Sequence, residues 1–178
     1  MIDFQLTEEH RLIQKTAKEF AKNELLPGVI DRDANKIWPK KAIIEMGNLG
    51  FLGMMTDSKW NGQGMDSISY VLAMEEISAV DASASVVMSV NNSLVCYLIE
   101  KFGTEYQKDK YLKVLATGDK IGAFSLSEPQ SGSDASNMKV SAKKNGEYYT
   151  ISGTKNWVTN GKNSDVVILF AVTEEGAG

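Results

Sequence analysis

The sequence of 178 residues holds one cysteine, one histidine and three prolines, and each scarcity excludes something. A lone thiol, Cys96, leaves no intrachain disulfide, which suits a reducing compartment. One histidine and one cysteine far apart cannot build a zinc site, so no metal is expected. His10 lies on a surface-type helix near the N-terminus with no nucleophile pattern beside it, which excludes a Ser-His-Asp triad. No Gly-x-x-x-x-Gly-Lys-Ser/Thr loop occurs. There is no cationic run either: Lys108, Lys110, Lys113 and Lys120 are scattered, and the net charge is −4. Such a surface argues against a nucleic-acid or anionic-membrane partner. The first ten residues, Met-Ile-Asp-Phe-Gln-Leu-Thr-Glu-Glu-His, show neither a basic n-region nor an apolar h-region. No signal peptide is expected, and the expected location is cytoplasmic, or the mitochondrial matrix in a eukaryote.

The one long uncharged stretch is residues 82–99. Ser83, Ser85, Ser89, Asn91, Asn92 and Ser93 interrupt it, so a buried core helix is expected and no membrane span. Hydrophobic content of 43% and charged content of 24% are ordinary for a globular protein. The length suits one domain or two small ones.

Helical periodicity fills the first two thirds. Thr7 is placed to cap a helix with Glu8 and Glu9 in its first turn and Leu12, Ile13, Ala17, Phe20 and Ala21 as its apolar residues, closed by Pro27. Pro39 suits the first position of a second helix, with Ile43, Ile44 and Met46 inside and Gly50 past its end. Ser67 is placed to cap a third, carrying Val71, Leu72, Met74 and Ile77. Asp81 caps a fourth running to Lys101 and stopped by Gly103, and Thr104 caps a fifth that ends at Gly118. After Gly118 the period shortens. Residues 121–127, 139–144, 147–152, 155–159 and 166–172 read as strands, with turns at Asn145-Gly146, Asn160-Gly161 and Asn163-Ser164. Helices first and strands second give an α+β chain: an all-helical domain over 1–118, then a small antiparallel β-sheet or barrel domain over 119–178.

Two segments carry chemistry. Phe124-Ser-Leu-Ser-Glu-Pro-Gln-Ser-Gly-Ser-Asp134 begins as an alternating strand and ends in a turn dense with Gly and Ser. Glycine lets the chain approach a ligand closely, and the turn offers backbone N–H groups and hydroxyls to an anion. Taken alone it is also a common hairpin connection. Gly153-Thr-Lys-Asn-Trp-Val-Thr-Asn-Gly161 joins an indole, a hydroxyl and a turn, an edge for a flat heteroaromatic ring. Taken alone, Trp157 is a packing residue on a strand.

Together the two segments resemble the paired signatures of the acyl-CoA dehydrogenase family of flavoenzymes, in its short-chain, butyryl-CoA dehydrogenase-like form. Further stretches resemble the family in the same order: Lys59-Trp-Asn-Gly-Gln-Gly64, Ala73-Met-Glu-Glu-Ile-Ser78 and Phe102-Gly-Thr-Glu-Tyr-Gln-Lys108. The resemblance implies FAD as cofactor. It sets Phe124, Leu126 and Ser127 along the isoalloxazine ring, with Ser127 on its pyrimidine side. It sets Trp157 on the flavin edge and gives the Thr159 hydroxyl to flavin N5. Gly132 and Ser133 would meet the pyrophosphate, with Ser133 also near the acyl-CoA. Glu128 and Asp134 would stabilise the turn and point away from the diphosphate, and Lys155 would be structural.

The resemblance also makes residues 82–99 the helix bordering the acyl pocket, walled by Val86, Val90 and Leu94. From Trp60 through Glu100 there is no Lys or Arg, which disfavours a dicarboxylyl-CoA. The implied reaction is α,β-dehydrogenation of a short- or medium-chain acyl-CoA to the 2-enoyl-CoA, with the α-proton going to a glutamate. That base belongs to a C-terminal domain of the family that this sequence lacks, and Glu75, Glu76, Glu128 and Glu147 do not occupy its position. The chain is therefore expected to be a fragment or truncated form, inactive alone, with Glu174-Glu-Gly-Ala-Gly178 following the last strand. Implied partners are acyl-CoA, an electron-transfer flavoprotein as acceptor, and further copies in a homotetramer. An acyl-CoA oxidase-type flavoenzyme and a non-catalytic partner module are the alternatives.

Overall fold

The computed structural model describes residues 5–173; the acidic tail at 174–178 lies outside the described residues. Local capping starts the helices. Thr7 begins α1 (Glu8–Phe20): its hydroxyl accepts the His10 N–H at 3.1 Å, and His10 Nδ1 accepts the Thr7 N–H at 3.3 Å. With Nδ1 accepting, Nε2 is left to donate to Asp66 Oδ2 at 3.0 Å. His10 is thus buried, against the surface setting expected of it. Its partner stands 56 positions away, out of reach of any local pattern.

Asp66 in turn caps α4 (Ser67–Ser78), taking the Ser69 N–H at 2.8 Å, so the cap falls one residue before the expected Ser67. That Ser69 bond first, then the His10 bond, hold the Asp66 carboxyl down at about 2. α1 runs on through a π-helical turn, Ala21–Leu25, and closes before Pro27. A short α2 (Val29–Asn35), absent from the sequence reading, buries none of its residues. α3 (Lys40–Asn48) begins one residue later than expected, with Pro39 as its N-cap. In these helices Ile13, Ile43, Leu72 and Ile77 are buried, whereas Leu12, Ile44 and Val71 face solvent. Each exposed residue adjoins a buried one in sequence, and a one-residue step turns 100° around a helix.

α5 (Ala82–Phe102) is capped by Asp81, whose Oδ1 accepts the Ala84 N–H at 3.0 Å. Among the described residues it is the one helix long and apolar enough to cross a membrane, yet more than half of its most apolar stretch is buried inside the fold. Its middle, Val90–Cys96, is π-helical. There the adjacent Asn91 and Asn92 both point inward. Asn91 Nδ2 donates to Leu52 O (2.8 Å) and Leu115 O (2.9 Å), and its Oδ1 accepts the Gly122 N–H at 2.9 Å. Asn92 joins Met54 N–H, Phe51 O and Met88 O at 2.8–2.9 Å. α6 (residues 105–116) starts at Thr104 in a capping box with Gln107 and ends at Gly118, whose φ of +80° is the left-handed conformation that stops a helix.

Two apolar clusters result. One joins α1, α3, α4 and the start of α5 through Ile13, Phe20, Met46, Leu52, Ile77 and Met88. The other joins α5 to α6 through Val95, Ile99, Leu112 and Leu115, and receives Phe124, Val166 and Ile168 from the sheet. Cys96 lies in it, and burial pushes its thiol up to about 12, which leaves it un-ionised.

The chain is α+β as expected, helices followed by a small sheet region. β2 (Ser141–Asn145) and β3 (Tyr148–Ser152) form an antiparallel hairpin around Asn145-Gly146. β1 (Gly122–Ser125) pairs with β4 (Val166–Leu169), and this pair is parallel. The hairpin joins them through Ala142 N–H to Val172 O (2.9 Å) and Val172 N–H to Val140 O (2.8 Å). Residues 155–159, expected as a strand, are not one. Trp157 has φ +57° and Asn160 has φ +66°, which turn the backbone out of an extended path.

Asn91→Ala removes the bonds to Leu52 O, Leu115 O and the Gly122 N–H at once. Each orphaned group costs about 1–3 kcal/mol, so urea unfolding should show a loss of at least about 3 kcal/mol. The exposed Asn35→Ala control should change stability by less than about 0.5 kcal/mol; equal effects would refute the role given to Asn91.

Candidate functional site

Two loops meet beside α5. The first leaves β1 and carries residues 126–134; the second links β3 to β4 and carries residues 153–161. A buried ion pair clips them together. Lys155 Nζ donates to Glu128 Oε1 at 2.8 Å and to Leu126 O at 2.7 Å, with side chains only 8% and 2% exposed for Lys155 and Glu128. Glu128 also accepts the N–H groups of Lys139 (2.6 Å) and Val140 (3.0 Å) and the Gln130 amide (2.5 Å). Asn156 N–H donates to Ser127 O at 2.8 Å. Burial opposes ionisation of Glu128, but these donors outweigh it and hold the carboxyl down at about 2. Glu128 is consumed by the clip. The Asp134 carbonyl accepts the Ser131 hydroxyl and its carboxylate accepts that of Ser136, so Asp134 also serves its turn.

The clip delivers Trp157 to the surface. A bulky residue in the left-handed region is strained by about 1–2 kcal/mol, yet Trp157 sits there with its indole 92% exposed. The backbone on either side is pinned, by Asn156 N–H and by Asn160 Nδ2, which donates to Gly122 O at 2.9 Å. Internal packing gains nothing from this indole.

The indole borders a cleft of about 150 Å³. Phe124, Leu126, Ser127, Trp157 and Thr159 line it, with Val90 and Leu94 from α5. Asn156 completes the wall; the sequence reading passed it over, although its place between Lys155 and Trp157 was the available signal. Thr159 also lines an adjoining groove that contains Val86, one helical turn from Val90. Gly132 and Ser133 are not in the cleft wall. They are exposed on the turn after Glu128, and a Cβ added at Gly132 would meet nothing within 4 Å. Among the described residues, the backbone N–H groups of Ser127, Gly132 and Ser133 and the hydroxyls of Ser127, Ser133 and Thr159 make no hydrogen bond. The site therefore presents free donors, an exposed aromatic face and an apolar wall, with no acidic residue in the cleft lining.

Residues 7–119 match the family described as acyl-CoA dehydrogenase, N-terminal domain, and residues 123–178 match its middle domain. The chain belongs to the acyl-CoA dehydrogenase family. Within it, the chain is 41% identical over 170 residues to the mitochondrial short-chain specific acyl-CoA dehydrogenase of Bos taurus, covering 96% of this chain and 41% of that protein. Butyryl-CoA dehydrogenase from Megasphaera elsdenii superposes with a TM-score of 0.93 at 40% identity, over 99% of this chain and 47% of that one. A glutaryl-CoA dehydrogenase from Mycobacterium smegmatis in complex with FADH2 superposes with a TM-score of 0.91 at 36% identity, over 96% and 44% respectively. The chain thus spans somewhat less than half the length of these relatives.

The folded pKa of Glu128, about 2, lies below the value of about 4.3 for a free glutamate. Its contribution is complete above the unfolded value and is lost as pH falls toward 2. Glu128→Gln should lower stability at neutral pH and flatten the acid limb of the stability–pH curve. An unchanged acid limb in urea melts would show that the clip adds nothing.

Proposed function

We propose that the protein carrying this chain is an FAD-dependent dehydrogenase that converts short-chain acyl-CoA thioesters to 2-enoyl-CoA, and that this chain supplies the flavin-edge and acyl walls. The observation that carries the reading is the cleft itself, where a strained, exposed Trp157 stands beside unengaged donors on Ser127 and Thr159. That donor set fits a flavin, whose ring is flat and rich in acceptors along one edge. FAD supplies the two-electron acceptor that desaturation of a thioester requires.

The chain's own residues hold and orient. Phe124, Leu126 and Ser127 would line the ring, with Ser127 donating on its pyrimidine side. Trp157 would pack on the ring edge, and the Thr159 hydroxyl would be the donor for N5, where a preset dipole tunes the acceptor at no reorganisation cost. Gly132 and Ser133 offer free backbone N–H groups to the pyrophosphate, and Ser133 also meets the acyl-CoA. Val86 and Val90 wall the acyl chain. The glutamate that takes the α-proton comes from outside this chain, because the cleft wall holds no carboxylate and Glu128 is fully engaged. The 178 residues alone are therefore inactive. An electron-transfer flavoprotein as acceptor and a homotetramer are part of the same proposal and rest on family resemblance.

Trp157→Gly separates structure from function, because glycine accepts φ +57° without strain. The variant should leave the flavin-free protein no less stable in thermal melts and weaken FAD retention at least about tenfold, read by visible flavin absorption after gel filtration. A variant that loses stability but keeps its flavin would place Trp157 in the packing and sink the assignment.

A further inference from the structure

We propose that Trp38 sets the length of acyl chain the protein accepts, a specificity role that rests on the acyl-CoA dehydrogenase reading above. Thr159 belongs both to the flavin-edge cleft and to the adjoining groove of about 410 Å³, so the two spaces meet at that residue. From Thr159 the groove follows the first turns of α5 along Val86, Ser83 and Ala82. Its walls are small and uncharged, with no Lys or Arg among them. An alkyl chain fits such a groove, and a terminal carboxylate would find no cation in it.

Trp38 lines the groove beside Ala82 and Ser83. It lies in the link between α2 and α3, is half-buried, and packs against the helical core, so its indole is held in place. Trp38, Ala82 and Ser83 also line a second chamber of about 670 Å³, together with Ile30, Arg32, Lys36 and Asp81. Of the three residues that the two spaces share, Trp38 is the one large side chain. The distance available is short. Val86 and Ala82 are about one helical turn apart, roughly 6 Å at 1.5 Å per residue, which is the reach of a few methylenes. A longer chain would meet the indole face, and cores resist such overpacking.

The test uses the native holoprotein and its Trp38→Ala and Trp38→Leu variants, with kcat/KM measured on butyryl-, hexanoyl- and octanoyl-CoA and flavin content measured on each sample. The native protein should favour butyryl-CoA. Trp38→Ala should raise the hexanoyl-to-butyryl ratio about tenfold or more, the scale on which a pocket discriminates by one or two methylenes. Trp38→Leu keeps apolar packing while shortening the wall, so it carries the test if the alanine variant fails to fold; its ratio should rise at least about threefold. Flavin-loaded variants that oxidise butyryl-CoA with the native ratio would overturn the role of Trp38 and leave the dehydrogenase reading intact. A native protein that carries no flavin and oxidises none of the three thioesters would overturn both.

Discussion

The peptide group of Gly122 is where the structure is tied together. Its N–H donates to Asn91 Oδ1, and its carbonyl accepts from Asn160 Nδ2. One asparagine belongs to the core helix α5 and the other to the loop that presents Trp157, so helical half, first strand and ligand-facing loop share one anchor. Only glycine fits: a Cβ at 122 would lie 2.5 Å from Val95 Cγ1. Asn91 reaches the strand because α5 widens to a π-helix over Val90–Cys96. Neighbouring side chains of a regular helix diverge by 100°, whereas here Asn91 and Asn92 both turn inward and bond the loop at Phe51–Met54 as well. Local irregularity in the helix thus becomes rigidity in the sheet.

That rigidity is what holds Trp157 in an unfavourable conformation. The Glu128–Lys155 clip fixes one side of the tryptophan and the Asn160 bond fixes the other. Strain that persists against a solvent-exposed side chain needs neighbours that over-determine it. The buried carboxylate, the buried ammonium and two asparagines together meet that requirement.

How much was legible beforehand followed the range of the interactions involved. The starts of α1, α5 and α6 were readable because Thr7, Asp81 and Thr104 bond within three residues of themselves. The short α2 was not, since it buries no face and so leaves no apolar period. Residues 155–159 had the composition of a strand, but Lys155, Asn156 and Asn160 bond to β1 and the turn after it, and those long-range bonds decide the backbone. His10 was misplaced for the same reason, its partner Asp66 being remote in sequence. Phe124, Leu126, Ser127, Trp157 and Thr159 were identified by motif and meet in one cleft, while Asn156 emerges only from the packing.

The proposed role of this cleft is to hold a flavin edge on to a short acyl thioester. It is tested most directly by anaerobic titration of the native purified protein with butyryl-CoA while its visible absorption is followed. The flavin spectrum should bleach as butyryl-CoA is added, with crotonyl-CoA recovered. A protein without flavin, or with a flavin that butyryl-CoA leaves oxidised, would contradict it.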